Sequence, residues 1–173
     1  MWNNASEVII LKLLKAILIL PGTVGLLIPF SILTLTGGDF RPHSPTNIMF
    51  WLGLGFLVAG ISLGIWTVSL FSKLGKGTPA PWEPPRKLVV AGPYRHVRNP
   101  MITGMILILS GQAIILGSGA LAIWAAVFFI GNAIYFPLAE EKGLKDRFGS
   151  DYVEYMDNVP RWLPRLRPWK QSK

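Results

Sequence analysis

Three stretches of this chain carry no charged residue: Ala16 to Gly38, Ser44 to Ser72 and Asn99 to Ala139. A helix needs about 20 residues to cross the ~30 Å hydrocarbon core of a bilayer. The first two runs are each long enough to cross once, and the third is long enough to cross twice. Gly117-Ser118-Gly119 divides that third run, because paired glycines around a serine favour a tight turn over continued helix. The chain therefore reads as an all-α integral membrane bundle of about four transmembrane helices. The helices lie at about 9–36, 47–72, 101–117 and 120–140 of a single domain, 1–173.

Composition supports this reading. With 51% hydrophobic and 15% charged residues, a domain of 173 residues holds more apolar surface than a soluble fold of that size can bury. The net charge of +8 does not point to nucleic acid, because the basic residues alternate with the uncharged runs. Lys12 and Lys15 precede the first span, six basic residues run from Lys73 to Arg98, eight follow the last span, and Arg41 alone falls between spans one and two. Four spans put every basic residue but Arg41 on one side. The positive-inside rule then makes both termini and the segments 73–100 and 140–173 cytoplasmic. Pro21 and Pro29 interrupt the first run, which lacks a clear small-residue cleavage site, so it reads as a retained, kinked helix rather than a signal peptide. The absence of cysteine excludes disulfides, thiolate metal sites and a cysteine nucleophile, and no metal is expected.

Within the spans, Gly60 and Gly64 stand one turn apart, with Gly53 and Gly55 upstream, as a small-residue face for a neighbouring helix. Asn132, Phe136 and Glu140 share a face of helix four. For Asn132 an interhelical hydrogen bond competes with a ligand role. Beyond Glu141, Leu144, Phe148, Tyr152 and Tyr155 or Met156 at helical spacing predict an interfacial helix, and Val159 to Arg165 suits a segment at headgroup level.

Two segments hold the polar chemistry. One runs from Lys87 through Gly92-Pro93-Tyr94-Arg95-His96-Val97-Arg98-Asn99-Pro100-Met101, with Asn99 as N-cap and Pro100 in the first turn of helix three. Helix-start N–H groups with Arg95 and Arg98 favour an anion, although the arginines taken alone fit positive-inside anchoring and lipid phosphate contact better. The other is Glu140-Glu141, adjacent carboxylates that need compensating charge at a helix C-terminus. The hairpin brings both segments to one membrane face, where a pocket with anion donors, a carboxylate and the Tyr94 ring suits a ligand bearing a carboxylate, an ammonium and a sulfonium.

The order Gly92-Pro-Tyr-Arg-His-Val-Arg-Asn-Pro-Met101, then Glu140-Glu141, Phe148-Gly149 and Tyr152-Val-Glu-Tyr155, resembles the isoprenylcysteine carboxyl methyltransferase and phospholipid methyltransferase superfamily over about 88–164. The resemblance implies a membrane enzyme using S-adenosylmethionine and acting on a lipid or lipid-like methyl acceptor. Cofactor contacts would fall on Arg86, Lys87, Leu88, Val89, Tyr94, Arg98, Asn99, Pro100, Met101, Ile102 and Glu140. Glu141 is the candidate base for an amine acceptor, with His96 behind it, and Arg147 and Arg161 are the tail cations available to an acceptor carboxylate. This chain has Asn99 and Ile102 where the superfamily commonly has His and Tyr, and Phe136 where the prenylcysteine branch carries a substrate-binding arginine. That last difference predicts an amine or other neutral nucleophile as acceptor rather than a prenylcysteine carboxylate. A nicotinamide-dependent membrane reductase of sterol-reductase type and a non-catalytic membrane scaffold are the alternatives.

Overall fold

The computed structural model describes residues 19, 21–75 and 87–170; the expected first half of helix one and Arg86 lie outside them. Among the described residues there are helices and turns and no strand. We number α1 Thr23–Leu35, α2 Ile48–Gly75, α3 Pro100–Ile115, α4 Gly119–Phe148 and α5 Ser150–Asn158. A short 3-10 turn, Gly92–Arg95, precedes α3. Two of these helices, α2 and α4, are long and apolar enough to cross a membrane, and only 11% of the apolar window of each is buried inside the protein. Ile61, Ile65 and Trp66 of α2 and Ile123, Val127 and Ile134 of α4 point outward, so the exterior is apolar where a water-soluble protein is polar.

Helix α2 starts where the Asn47 side chain accepts a hydrogen bond from the Met49 N–H at 2.9 Å. It packs antiparallel on α3 through a glycine seam. A Cβ on Gly60 would lie 2.6 Å from the Gly104 carbonyl oxygen, and one on Gly53 would lie 2.9 Å from that of Gly111. The two backbones touch at both points, which only glycine allows. The spacing along each helix is seven residues, not the four of the predicted Gly60 and Gly64 pair. Nothing lies within 4 Å of a Cβ built on Gly55 or Gly64. Two turns bring a residue back to nearly the same face, and the matching Gly104 and Gly111 select that register.

Prolines shape the other helices. Pro29 has no N–H to offer the carbonyls of Gly25 and Val24, and α1 winds as a π turn over Thr23–Leu27. The Gln112 amide of α3 donates to Gly25 O at 2.7 Å, and the Trp124 indole of α4 donates to Val24 O at 3.2 Å. Both acceptors freed by the proline are thereby satisfied from neighbouring helices, as an apolar setting demands. Asn132, in contrast, bonds Phe128 O within its own helix at 2.7 Å, and not across helices. Gly117, at φ 58°, closes the predicted turn between α3 and α4, and Ser118 caps α4 by accepting from Leu121 N.

Helix α4 runs past the expected end near residue 140. Pro137 opens a π turn over Phe136–Glu140, and the helix then continues to Phe148. The single interfacial helix expected after Glu141 is not what forms. Gly149, at φ 57°, breaks the chain between Phe148 and Ser150. The stripe of Leu144, Phe148, Tyr152, Tyr155 and Met156 turns onto a core of its own with Leu88, Val90, Val159 and Trp169.

A candidate active site where α3 begins and α4 ends

The polar end of the molecule is tied together by the tail after α5. Val159 is fully buried, and residues 160–169 return along 95–98 as a strap. Arg98 N–H donates to Pro160 O, Arg165 N–H to His96 O and Trp169 N–H to Arg95 O, each at 2.9 Å. Side chains reinforce the backbone: Arg95 Nε donates to Trp169 O at 2.6 Å, and His96 Nδ1 lies 2.7 Å from Arg165 O. The Tyr155 hydroxyl donates to Tyr94 O at 2.7 Å. The imidazole of His96 is thus engaged by the strap.

Under the strap sits a buried ion cluster. Glu141, 6% exposed, accepts from Arg98 Nη1 at 2.8 Å and from Arg161 through Nε at 2.7 Å and Nη2 at 2.9 Å. A carboxylate this deeply buried requires such compensation. Three sequence-distant elements are joined by it: the approach to α3, the last third of α4 and the strap. Two donors beside it have no protein partner, Arg98 Nε and Asn99 Nδ2. Asn99 stands at the N-cap of α3, where its backbone carbonyl accepts the first helical bond from Thr103 N–H, yet its side chain does not cap. A buried donor without a partner costs free energy on the order of 1–3 kcal/mol, and the Gln112 carbonyl oxygen, within the bundle, is likewise buried without a partner.

The remaining predicted residues fall around this centre in a graded way. Tyr94 is buried, its ring 5.4 Å from that of Phe71. Burial pushes its phenol well above the ordinary tyrosine range, and the neighbouring Tyr155 adds to the effect. Burial likewise raises Tyr155, and it raises Tyr152, where the Glu141 charge adds and Arg98 opposes. All three are neutral phenols at neutral pH. Val89 and Pro100 are buried, Leu88, Met101 and Ile102 are half-buried, and Lys87 is exposed. Glu140 is partly exposed and forms no ion pair or hydrogen bond among the described residues. Arg147 is not brought to the cluster; it is exposed, with its guanidinium 5.8 Å from the Phe148 ring. Sequence reasoning missed Tyr155, Pro160 and Trp169 as the parts that hold the motif. The spacing of Tyr152, Tyr155 and Val159 on one helical face was the available signal.

The phospholipid methyltransferase family matches residues 48–151, more than half of the chain. The chain belongs to this family. It is also similar to protein-S-isoprenylcysteine O-methyltransferase B of Arabidopsis thaliana, with 36% identity over 86 residues, 47% of this chain and 42% of that protein. The chain thus spans less than half the length of that relative. The family segment contains α2, α3, the Arg98-Asn99-Pro100 corner and both glutamates, whereas Arg161 and the rest of the strap lie beyond residue 151. In this phospholipid methyltransferase family member, one of the two arginines that bond the buried Glu141 therefore comes from outside the matched region.

Proposed function

We propose that the protein is a membrane-embedded methyltransferase that uses S-adenosylmethionine and acts on a lipid or lipid-like amphiphile. The carrying observation is the pair of unpartnered buried donors, Arg98 Nε and Asn99 Nδ2, inside the matched family segment and next to the double glutamate. Their chemistry fits the cofactor, whose carboxylate and adenine supply acceptors and whose ammonium needs an anion. Arg98 and Asn99 would hold the acceptor groups and Glu140 the ammonium, with Tyr94 and the first turn of α3 forming the wall. When bound, S-adenosylmethionine supplies an electrophilic methyl group on sulfur. The chain's own residues then have to align the acceptor, exclude water and dispose of a proton.

Glu141 is spent on two arginines, so it serves to fix Arg98 and the strap. Glu140 remains as the unpaired carboxylate of the two for the cofactor ammonium or for the proton of an amine acceptor. Phe136 offers no charge to an acceptor carboxylate, and both Nε and Nη2 of Arg161 are committed to Glu141. An amine or neutral nucleophile on a lipid is therefore the favoured acceptor. The proposed topology has four spans, with both termini, the Arg98 cluster and the strap on the cytoplasmic side. Neither the reductase nor the scaffold reading draws support from the family or the Arabidopsis relative.

Calorimetric titration of the purified protein in detergent tests the reading. S-adenosylhomocysteine binds and NADPH does not. Asn99→Ala weakens binding roughly threefold to tenfold, the worth of one neutral hydrogen bond. Labelled methyl transfer is faster to phosphatidylethanolamine or its methylated forms than to a farnesylcysteine analogue. Absence of both S-adenosylhomocysteine binding and methyl transfer in lipid overturns the reading. Single cysteines replacing Ser44, Ser72 and Ser150 report the orientation: only Ser44→Cys is labelled by an impermeant reagent in intact cells.

A further inference from the structure

The strap meets the outward flank of α4 directly and is tied to the turn that rests on α2. At one end Trp162 stands edge-on to Phe129 and Phe136 of α4, with ring centroids 5.5 and 6.0 Å apart. At the other end Trp169 is bonded to Arg95, in the turn that Gly92 opens, and Gly92 is pressed against α2. A Cβ there would lie 3.0 Å from Leu70 and 3.1 Å from Trp66. Between the two ends Leu163 and Leu166 are 81% and 97% exposed, with Arg165 and Arg167 interleaved. An irregular segment anchored on the flank of α4 that alternates bare leucines with arginines suits the boundary between hydrocarbon and water.

A hollow of about 290 Å³ opens at the α2 end of this strap, lined by Val90, Ala91, Gly92, Arg95, Trp169 and Lys170. The Arg95 guanidinium is held in place through Nε on Trp169 O, and its two terminal nitrogens bond nothing among the described residues. Neither Arg95 nor Lys170 forms an ion pair among those residues. Arg95 and Arg98 lie three residues apart yet face different partners, Trp169 and Glu141, so the hollow stands apart from the ion cluster. A preset guanidinium fork beside an ammonium suits the oxygens of a phosphate, and at this depth the available phosphates are lipid headgroups.

We propose that this hollow binds the phosphate of an anionic phospholipid, with the acyl chains lying along the exposed face of α2 near Trp66. The proposal stands whether or not the protein transfers methyl groups.

Native mass spectrometry of the full-length protein released from detergent tests it, with dioleoylphosphatidylglycerol and dioleoylphosphatidylcholine as probes. One phosphatidylglycerol is retained in preference to phosphatidylcholine. Lys170→Gln, at an exposed position that does not endanger folding, weakens retention roughly fivefold, the worth of one cation near an anionic surface. Arg95→Lys weakens it further, and Arg41→Gln, in the α1–α2 connection that meets the other end of α3, leaves it unchanged. Equal retention by the wild type, Lys170→Gln and Arg95→Lys overturns the proposal. Displacement of the lipid by an equal concentration of glycerophosphoglycerol shows a soluble-anion site and overturns the lipid assignment. A parallel fall in S-adenosylhomocysteine affinity in Lys170→Gln places the hollow inside the cofactor site and also overturns it.

Discussion

The α2 and α3 seam and the strapped polar end are held by opposite means. The seam contains no charge and no side-chain hydrogen bond between its four glycines; backbone meets backbone because Gly53 and Gly60 face Gly111 and Gly104. The polar end is held by a buried carboxylate between two arginines and by paired hydrogen bonds from strap to turn. Close packing of this kind is insensitive to pH and salt and intolerant of added volume. An ion cluster tolerates changes of volume better but depends on every charge being matched. The rigid seam suits a scaffold, whereas the polar end assembles a site from three separate chain segments.

The largest expected effect comes from unbalancing the cluster. Glu141→Gln leaves Arg98, with only 9% of its side chain exposed, beside Arg161 without a counter-charge. Removing one partner of a buried ion pair costs about 3–5 kcal/mol. Unfolding by titrated detergent denaturant measures it. The strap should detach, becoming open to proteolysis between residues 159 and 170, while helicity is retained. Loss of the helices as well would mean that the two regions are not separable.

Gly60→Ala should come next. The new methyl group would sit 2.6 Å from Gly104 O and 2.9 Å from the Ile108 backbone nitrogen, neither of which can move without parting the helices. Overpacking of this kind costs about 1–3 kcal/mol. Gly64→Ala, with open space at its Cβ, gains up to about 1 kcal/mol from helix propensity. Equal behaviour of the two variants would dissolve the seven-residue register.

Gln112→Leu strands the Gly25 carbonyl that Pro29 has already deprived of its helical donor. A cost of about 1 kcal/mol follows, because the variant also removes the buried, unpartnered carbonyl oxygen of Gln112; it is measured in the same unfolding experiment, and Trp124→Phe should cost less because its bond to Val24 O is longer. An unchanged stability in Gln112→Leu would show that α1 is not fastened to the bundle at this point.

Charge-free runs made the helices legible, because length and the absence of charge suffice to mark a span. The seam's register was hidden because Gly53, Gly55, Gly60 and Gly64 offer more than one face, and only the partner's glycines choose between them. The residues of the site were likewise legible as types, but their pairing was not. On a regular helix Asn132, Phe136 and Glu140 share a face, and Glu141 lies about 100° further round. The π turn forced by Pro137 adds a residue at that point and advances everything after it by one position, so Glu141 is the one turned into the protein. Arg161 was recognisable only as a tail cation, because its partner lies twenty residues upstream and the strap that delivers it has no periodic pattern.

The smallest effect at neutral pH, and the cleanest separation of the two regions, comes from the tyrosines. Tyr94, Tyr152 and Tyr155 have folded-state values raised above the ordinary one near 10, chiefly by burial, and all three belong to the polar end. A phenol raised on folding contributes its full stability below the unfolded value and loses it as the pH climbs towards the folded one. The strap should therefore be unaffected up to about pH 10 and come apart above it, whereas the seam holds no titratable group and should persist. Tyrosinate absorbance rising together with proteolysis of 159–170, ahead of any loss of helical circular dichroism, is the expected course. Tyr152→Phe, which removes one phenol from beside Glu141, should move the alkaline midpoint upward. A midpoint that falls in that variant would show that the hydroxyl of Tyr152 stabilises the cluster more than its ionisation threatens it.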